Sequence, residues 1–409
     1  MKKKLLMLCL ALVTVFQLQA QEPLRKDKAV FKEYKPGYYE NVILKEINSQ
    51  PAQTAGRKYL KVDYQDIKFP NDTALYTRCW HTPAVSQGNT GTCWAFGSVA
   101  MLESEMYRLH KKKTDLSEMF VVYHDYLERA KEYVKTRGET YFEEGSESNA
   151  LVRMLKMYGM VPSTDYSGLL PGQNVYNHSE MIGEMKAYLA EVKKNNAWNE
   201  DEVVKNIKTI MNAYMGEPPT GFVYEGKKYT PQTFVTDYLQ VVPGDYYSFM
   251  STLNANFNQK SELVEPDNWW HSKDYYNVCL DDFFLIVTEA VKNAYPVCIC
   301  GDVSEPGIDN SLQTLTIPTF DIPSGYIDDA ARQMRLSNAS TTDDHCMEIV
   351  GYCIYENKYW FLLKDSGAGA FGVKYTGYRF MNEDYVKLKM MNILLYKYAA
   401  KKVLDKIIK

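Results

Sequence analysis

Gln87-Gly88-Asn89-Thr90-Gly91-Thr92-Cys93-Trp94-Ala95-Phe96 is the stretch from which the rest of this chain can be read. It opens a helical pattern. Ala95, Val99, Leu102, Met106 and Leu109 recur at spacings of four, three, four and three, so they share one helix face. Cys93 stands at the start of that helix. A thiol there meets unpaired N–H groups and the positive end of the helix dipole. Both favour the thiolate, the form that attacks carbon. The glycines allow a tight turn and close approach of another molecule. Gln87 lies six residues upstream, where its amide can donate to an oxyanion forming beside the Cys93 backbone N–H. A buried structural thiol is the commoner fate of a lone cysteine; the whole decapeptide argues against it here.

Working outward, the chain has 409 residues, 45% of them hydrophobic and 24% charged, which is a globular composition. A net charge of −4 gives no basic excess for nucleic-acid binding. Eight Cys are too few for a disulfide scaffold. Lys2-Lys3-Lys4, the apolar run Leu5 to Leu18 and Leu18-Gln19-Ala20 read as a cleavable signal peptide over residues 1–20. The expectation is an exported protein, periplasmic or secreted, that does not span a membrane. Residues 21–57 read as a polar, irregular N-terminal arm. Residues 58–218 read as a helical lobe, with helices near Ser117, over Leu151–Tyr158 and twice within 180–214, after an alternating strand Tyr59–Tyr64. Residues 219–275 read as a loop-rich insertion, 276–396 as a β-rich lobe opened by a helix Leu280–Lys292, and 397–409 as a basic tail. A cleft is expected between the lobes.

QGNTGTCWAF resembles the motif of the papain-like cysteine peptidases almost position by position. Many secreted members carry a disulfide Cys where this chain has Thr90, which points to the bleomycin hydrolase or aminopeptidase C branch. Leu116–Val122, Tyr158–Pro162, Pro266–Trp270 and Gly301–Glu305 extend the resemblance, which covers most of residues 75–395. It implies an α+β, papain-like two-lobe fold, a helical lobe plus a β-barrel-like lobe with the active site in the cleft. It implies peptide substrates, no cofactor and, from the branch, a homo-oligomer of hexameric rings.

The thiolate needs an imidazole partner. Of six His, His81, His110, His124, His178 and His271 have no special neighbourhood. His345 follows Asp344 and precedes an apolar strand, and the resemblance puts the family's catalytic His there. The third group departs from the family, which uses Asn in Asn-Ser-Trp-Gly. Here the sequence reads Asp365-Ser366-Gly367-Ala368. Asp365 can orient His345 as a carboxylate does in a Ser-His-Asp triad and raise its pKa. Alternatively, Gly367 in place of the shielding Trp admits water and weakens that bond. The family's backbone-holding Gly-Gly pair falls at Gly145-Ser146, where the serine side chain is expected to narrow the cleft.

The resulting expectation is an exported cysteine peptidase acting through a thioester, an aminopeptidase by its branch. The alternatives are a catalytically weak, peptide-binding homologue and an acyltransferase. In the branch the C-terminal carboxylate holds the substrate's amino group; the basic tail Lys401–Lys409 suggests a plug that is trimmed, displaced or absent. Cys298, Cys300, Cys346, Cys353, Cys79 and Cys279 are read as buried free thiols, although export permits disulfides among them. Lys111–Lys113 reads as a solvated helix end and Trp269-Trp270 as packing.

Overall fold

The computed structural model describes residues 26–50 and 56–408; the leader expected at residues 1–20 lies outside them. Among the described residues, eleven strands form one sheet. Its order is Ile308–Asp309, Thr314–Leu315, Tyr378–Asn382, Lys358–Lys364, His345–Tyr355, Val297–Gly301, Met390–Tyr396, Tyr246–Met250, Tyr275–Asn277 and Gln259–Ser261. Thr77–Arg78 pairs on the His345 strand, off that path. The two ends of the sheet do not meet, so the β-rich lobe is an open sheet and not the barrel-like closure expected. The class, mixed α+β in two lobes, stands.

Alternation along the central strands builds two cores. Cys298, Cys300, Cys346 and Leu394 face the helical lobe, while Val297, Ile299, Met347, Ile349, Ile393 and Leu395 face the other way. The helix Cys93–His110 lies against the first face. A Cβ on Gly97 would meet the Cys346 carbonyl carbon and the Met347 nitrogen at 3.2 Å, so helix backbone sits on strand backbone. Trp94 to Met106 are all buried, Glu103 and Glu105 included, and only the end of the expected stripe, Leu109, reaches solvent. The helix is enclosed on the other side by Glu118–Lys135 and Ala150–Met157. The apolar stripe is thus part of a larger buried surface. Ser117 caps the second helix, its Oγ accepting from Phe120 N at 3.0 Å.

On the second face lie Leu280–Lys292 and the C-terminal helix Lys401–Ile407, with Val403 and Leu404 buried in that core. Lys402 pairs with Glu289, and Lys406 Nζ lies 2.6 Å from Asp282 Oδ1. Residues 401–408 therefore sit across the sheet from Cys93.

Three expectations change. Residues 29–33 form a strand paired with Lys58–Val62, and Tyr39–Glu46 are helical, so the arm is not irregular throughout. Residues 219–275 are not only loops: Tyr246–Met250 pairs with Met390–Tyr396 inside the main sheet. Cys300 and Cys346 are not free thiols. The register sets them opposite one another on neighbouring strands, Cα atoms 4.1 Å apart, and they form a disulfide. Cys79, Cys93, Cys279, Cys298 and Cys353 are free.

Candidate active site

Cys93 is the first residue of its helix, and the loop before it is tied down locally. Thr90 Oγ1 donates to the Gln87 carbonyl at 2.7 Å and lies 2.6 Å from Thr92 Oγ1. The Gly91 N–H donates to Glu144, and the Trp94 indole N–H to the Glu144 carbonyl at 3.4 Å. The loop Glu143–Ser146 is in turn pinned by Arg129, a side chain the sequence reading passed over. Its guanidinium is buried, donating to the Glu143 carbonyl at 2.6 Å and to the Gly145 carbonyl.

His345 starts its strand and Asp365 follows the end of the neighbouring strand Lys358–Lys364, which brings the two side chains together. His345 Nε2 lies 2.7 Å from Asp365 Oδ1, which also accepts from the Gly367 N–H at 2.7 Å. Nδ1 is thereby left for Cys93. Burial alone would depress the imidazole's pKa. The Asp365 charge and hydrogen bond, then the Cys93 sulfur, overcome it and raise the value to about 10. Asp365 shows the reverse balance: burial opposes its charge, but the His345 and Arg379 charges hold it well below the carboxylate range. Arg379, also missed in the sequence, places Nε 2.5 Å from Asp365 Oδ2. No local signal marks it; it sits on Tyr378–Asn382, next to the Asp365 strand only through sheet pairing.

Water entry at Gly367 is not what the structure shows. Asp365 is 1% exposed and the His345 side chain 11%. A Cβ on Gly367 would lie 3.1 Å from His345 Cε1 and 3.2 Å from Nε2, so the ring packs directly over the glycine backbone.

Gln87 joins the same assembly. Its N–H donates to the Ser366 carbonyl at 3.0 Å, and its Oε1 accepts from Ser366 Oγ at 2.8 Å. With Oε1 so fixed, Nε2 gives one hydrogen to the Thr90 carbonyl at 2.8 Å and keeps another. The structure thus gathers Gln87, His345 and Asp365 around the Cys93 helix start. Gly145 and Ser146 lie on the adjoining loop. Ser146 is buried, its Oγ turned inward to Asp125 Oδ1 at 3.4 Å, so its side chain does not narrow the cleft. Three of the remaining His residues are held elsewhere: His81 lies 2.7 Å from the Tyr378 hydroxyl, His124 bonds the Phe120 carbonyl, and His271 pairs with Glu262.

The sequence profile of the Peptidase C1-like family matches residues 62–408. The chain belongs to that family. Within solved structures, PepW from Lactobacillus rhamnosis HN001 is similar in fold, with TM-score 0.64 and 17% identity over 82% of this chain and 86% of that one. The structure reported for the mite allergens Blo t 1 and Der p 1 (12% identity, 82% and 74% covered, TM-score 0.39) is more distant. So is digestive procathepsin L 3 of Tenebrio molitor larval midgut (13% identity, 81% and 72% covered, TM-score 0.35). No curated protein sequence matches. In this papain-like member of the C1 family the acceptor on the histidine is an aspartate.

Proposed function

We propose that this C1-family chain is an active, exported cysteine peptidase that releases N-terminal residues from peptides. The observation that carries the catalytic part is His345 held between the buried Asp365 carboxylate and Cys93. Cys93, as thiolate, attacks the scissile carbonyl. The charge forming on oxygen is met by backbone N–H groups at the helix start and the spare Gln87 amide hydrogen. The His345 imidazolium protonates the leaving amine. The resulting thioester is then hydrolysed by water that His345 deprotonates. The Gly145 carbonyl is taken by Arg129, so strand-like pairing to the peptide falls to the Ser146 backbone beside it. Export fits the disulfide Cys300–Cys346, which persists in an oxidising compartment.

The test is a panel of aminoacyl and N-blocked fluorogenic peptides assayed under mild reductant, with Cys93→Ala as control. Turnover of free-amino substrates that disappears in the variant supports the reading. Failure to turn over any substrate, with peptides still bound, makes the chain a peptide-binding relative instead. The C-terminal helix lies across the sheet from Cys93, so preference for a free amino end needs another source.

A further inference from the structure

Acidic side chains collect where the two lobes meet. Glu147 precedes the helix Ala150–Met157, and Asp343 stands two residues before His345. Asn392, on the strand Met390–Tyr396, ties them together. Its Nδ2 donates to Glu147 Oε2 at 3.0 Å and to Asp343 Oδ2 at 2.8 Å. Ser148 Oγ holds the other end of that amide at 3.4 Å. Register fixes where this lies: Asn392 is opposite Cys300, and Cys300 is opposite Cys346, the residue after His345. Two strand spacings, about 10 Å, separate Asn392 from the histidine strand. Asp267 closes in from the Gly145 side, since a Cβ on Gly145 would lie 2.1 Å from its Oδ2.

A cation is what Glu147 and Asp343 lack. Behind burial, the leading charges acting on Glu147 are Asp267 and Glu265; those acting on Asp343 are Glu147, Glu265, Asp267 and Cys93. All are negative, and Glu147 is pushed up to about 8. Arg129, which acts on Asp267, is committed to two backbone carbonyls. Most telling is Glu147 Oε1. Glu147 is 1% exposed, and that oxygen has no hydrogen-bond partner. Asn392 has spent both amide hydrogens, and the Tyr275 hydroxyl, which also lies against Glu147, gives its proton to Asn149 Oδ1 at 3.0 Å. Buried carboxylate oxygens are rarely left without a donor. Among the described residues, no three such groups converge closely enough for a metal ion. An ammonium, with three hydrogens to distribute over separated acceptors, fits. Asp343 is two residues before His345 in the chain, so the subsite lies at the entry to the histidine strand, beside the catalytic pair. The α-amino group of a first residue sits one carbon from the carbonyl under attack, whereas a lysine side chain extends well beyond it.

We propose that Glu147 and Asp343, backed by Asp267, form the subsite that receives the α-ammonium of the substrate's first residue. This deepens the aminopeptidase reading and rests on it. The device is built from the lobe junction, and the helix Lys401–Ile407 lies on the other face of the sheet.

The experiment is calorimetric titration of full-length Cys93→Ala with a dipeptide amide, its N-acetylated form, and an N-acetyl-lysyl peptide. At least tenfold tighter binding of the free-amino dipeptide is expected. Adding Glu147→Gln or Asp343→Asn, each isosteric and each checked for a native melting curve, should bring the preference below threefold. Should one fail to fold, the other decides. Equal binding of the first two peptides, no binding of any, or a preference indifferent to both substitutions overturns the proposal. So does equally tight binding of the N-acetyl-lysyl peptide. Because this readout needs no turnover, it separates failure of the subsite from failure of the catalytic reading, which the Cys93-containing chain tests on its own.

Discussion

The Arg379 guanidinium holds Asp365 from the side opposite His345, Nε to Oδ2 at 2.5 Å, while Oδ1 takes the imidazole at 2.7 Å. One carboxylate thus serves two cations inside the fold. Arg379 also donates to Asn310 Oδ1 at 3.1 Å, which fixes its plane. A neutral Asn at position 365 would leave Arg379 buried and unpaired, so the aspartate and the arginine form a unit.

This pairing gives a pH signature. His345 is raised from 6.5 to about 10, so its contribution to stability is complete below pH 6.5 and is lost as pH rises towards 10. Asp365 is lowered, so its contribution is present above its ordinary 3.8 and is lost as pH falls through the lower folded value. Asp365→Asn should therefore cost more stability at pH 5 than at pH 9, about 3 kcal/mol at the lower pH. Melting curves at the two pH values check this. The alkaline limb of kcat/KM should also move at least one unit towards neutral. Pairing the change with Arg379→Met should recover part of the stability, and a double-mutant cycle in which the costs simply add would contradict the unit.

Gly367→Ala tests the ring's seat. The added methyl would press on His345 Cε1 from 3.1 Å. We expect kcat to fall about tenfold from a small displacement of the imidazole, with little change in melting temperature. Unchanged kcat would show that the ring has room to spare.

Lys364 lies at the end of the strand leading into Asp365. It is buried, 2.6 Å from Thr82 Oγ1, 3.8 Å from Glu103 and 4.0 Å from Glu348. Burial pushes Glu103 well up, while the Lys364 charge opposes it; Glu348 is raised to about 7 in the same way. Lys364→Met removes the lone cation from between two buried carboxyls. Denaturant titration should show a loss of about 3–5 kcal/mol.

Deleting residues 401–409 should reduce stability and leave selectivity alone. Val403 and Leu404 are buried against the Leu280–Lys292 helix side, and losing them costs about 3 kcal/mol. The ratio of free-amino to N-blocked turnover is expected to stay within twofold of the full chain; a collapse of that ratio would return the tail to the substrate site.

Much of this was readable along the chain because the causes are local. A cysteine behind Gly91-Thr92 at the head of an apolar 3.6-residue pattern, the Ser117 cap and the Leu280–Lys292 helix each depend on neighbours a few residues away. His345 and Asp365 were found because a motif resemblance carried them, and the structure brings them to 2.7 Å. What one-dimensional reading missed shares a single cause, pairing between distant segments. Arg379 reaches Asp365 only through strand register, Cys300 meets Cys346 only across two strands, and Asn392 joins Glu147 to Asp343 from a strand that carries no motif.

The amino-acid order by itself determined the helix that presents Cys93 and the β-rich character of residues 276–396, since backbone hydrogen bonding and side-chain periodicity are properties of short segments. Only the tertiary structure decided that the sheet stays open, that the tail packs away from the cysteine, and which charges share a buried site. Those outcomes depend on register and on which surfaces exclude water together, and neither is written in any single segment.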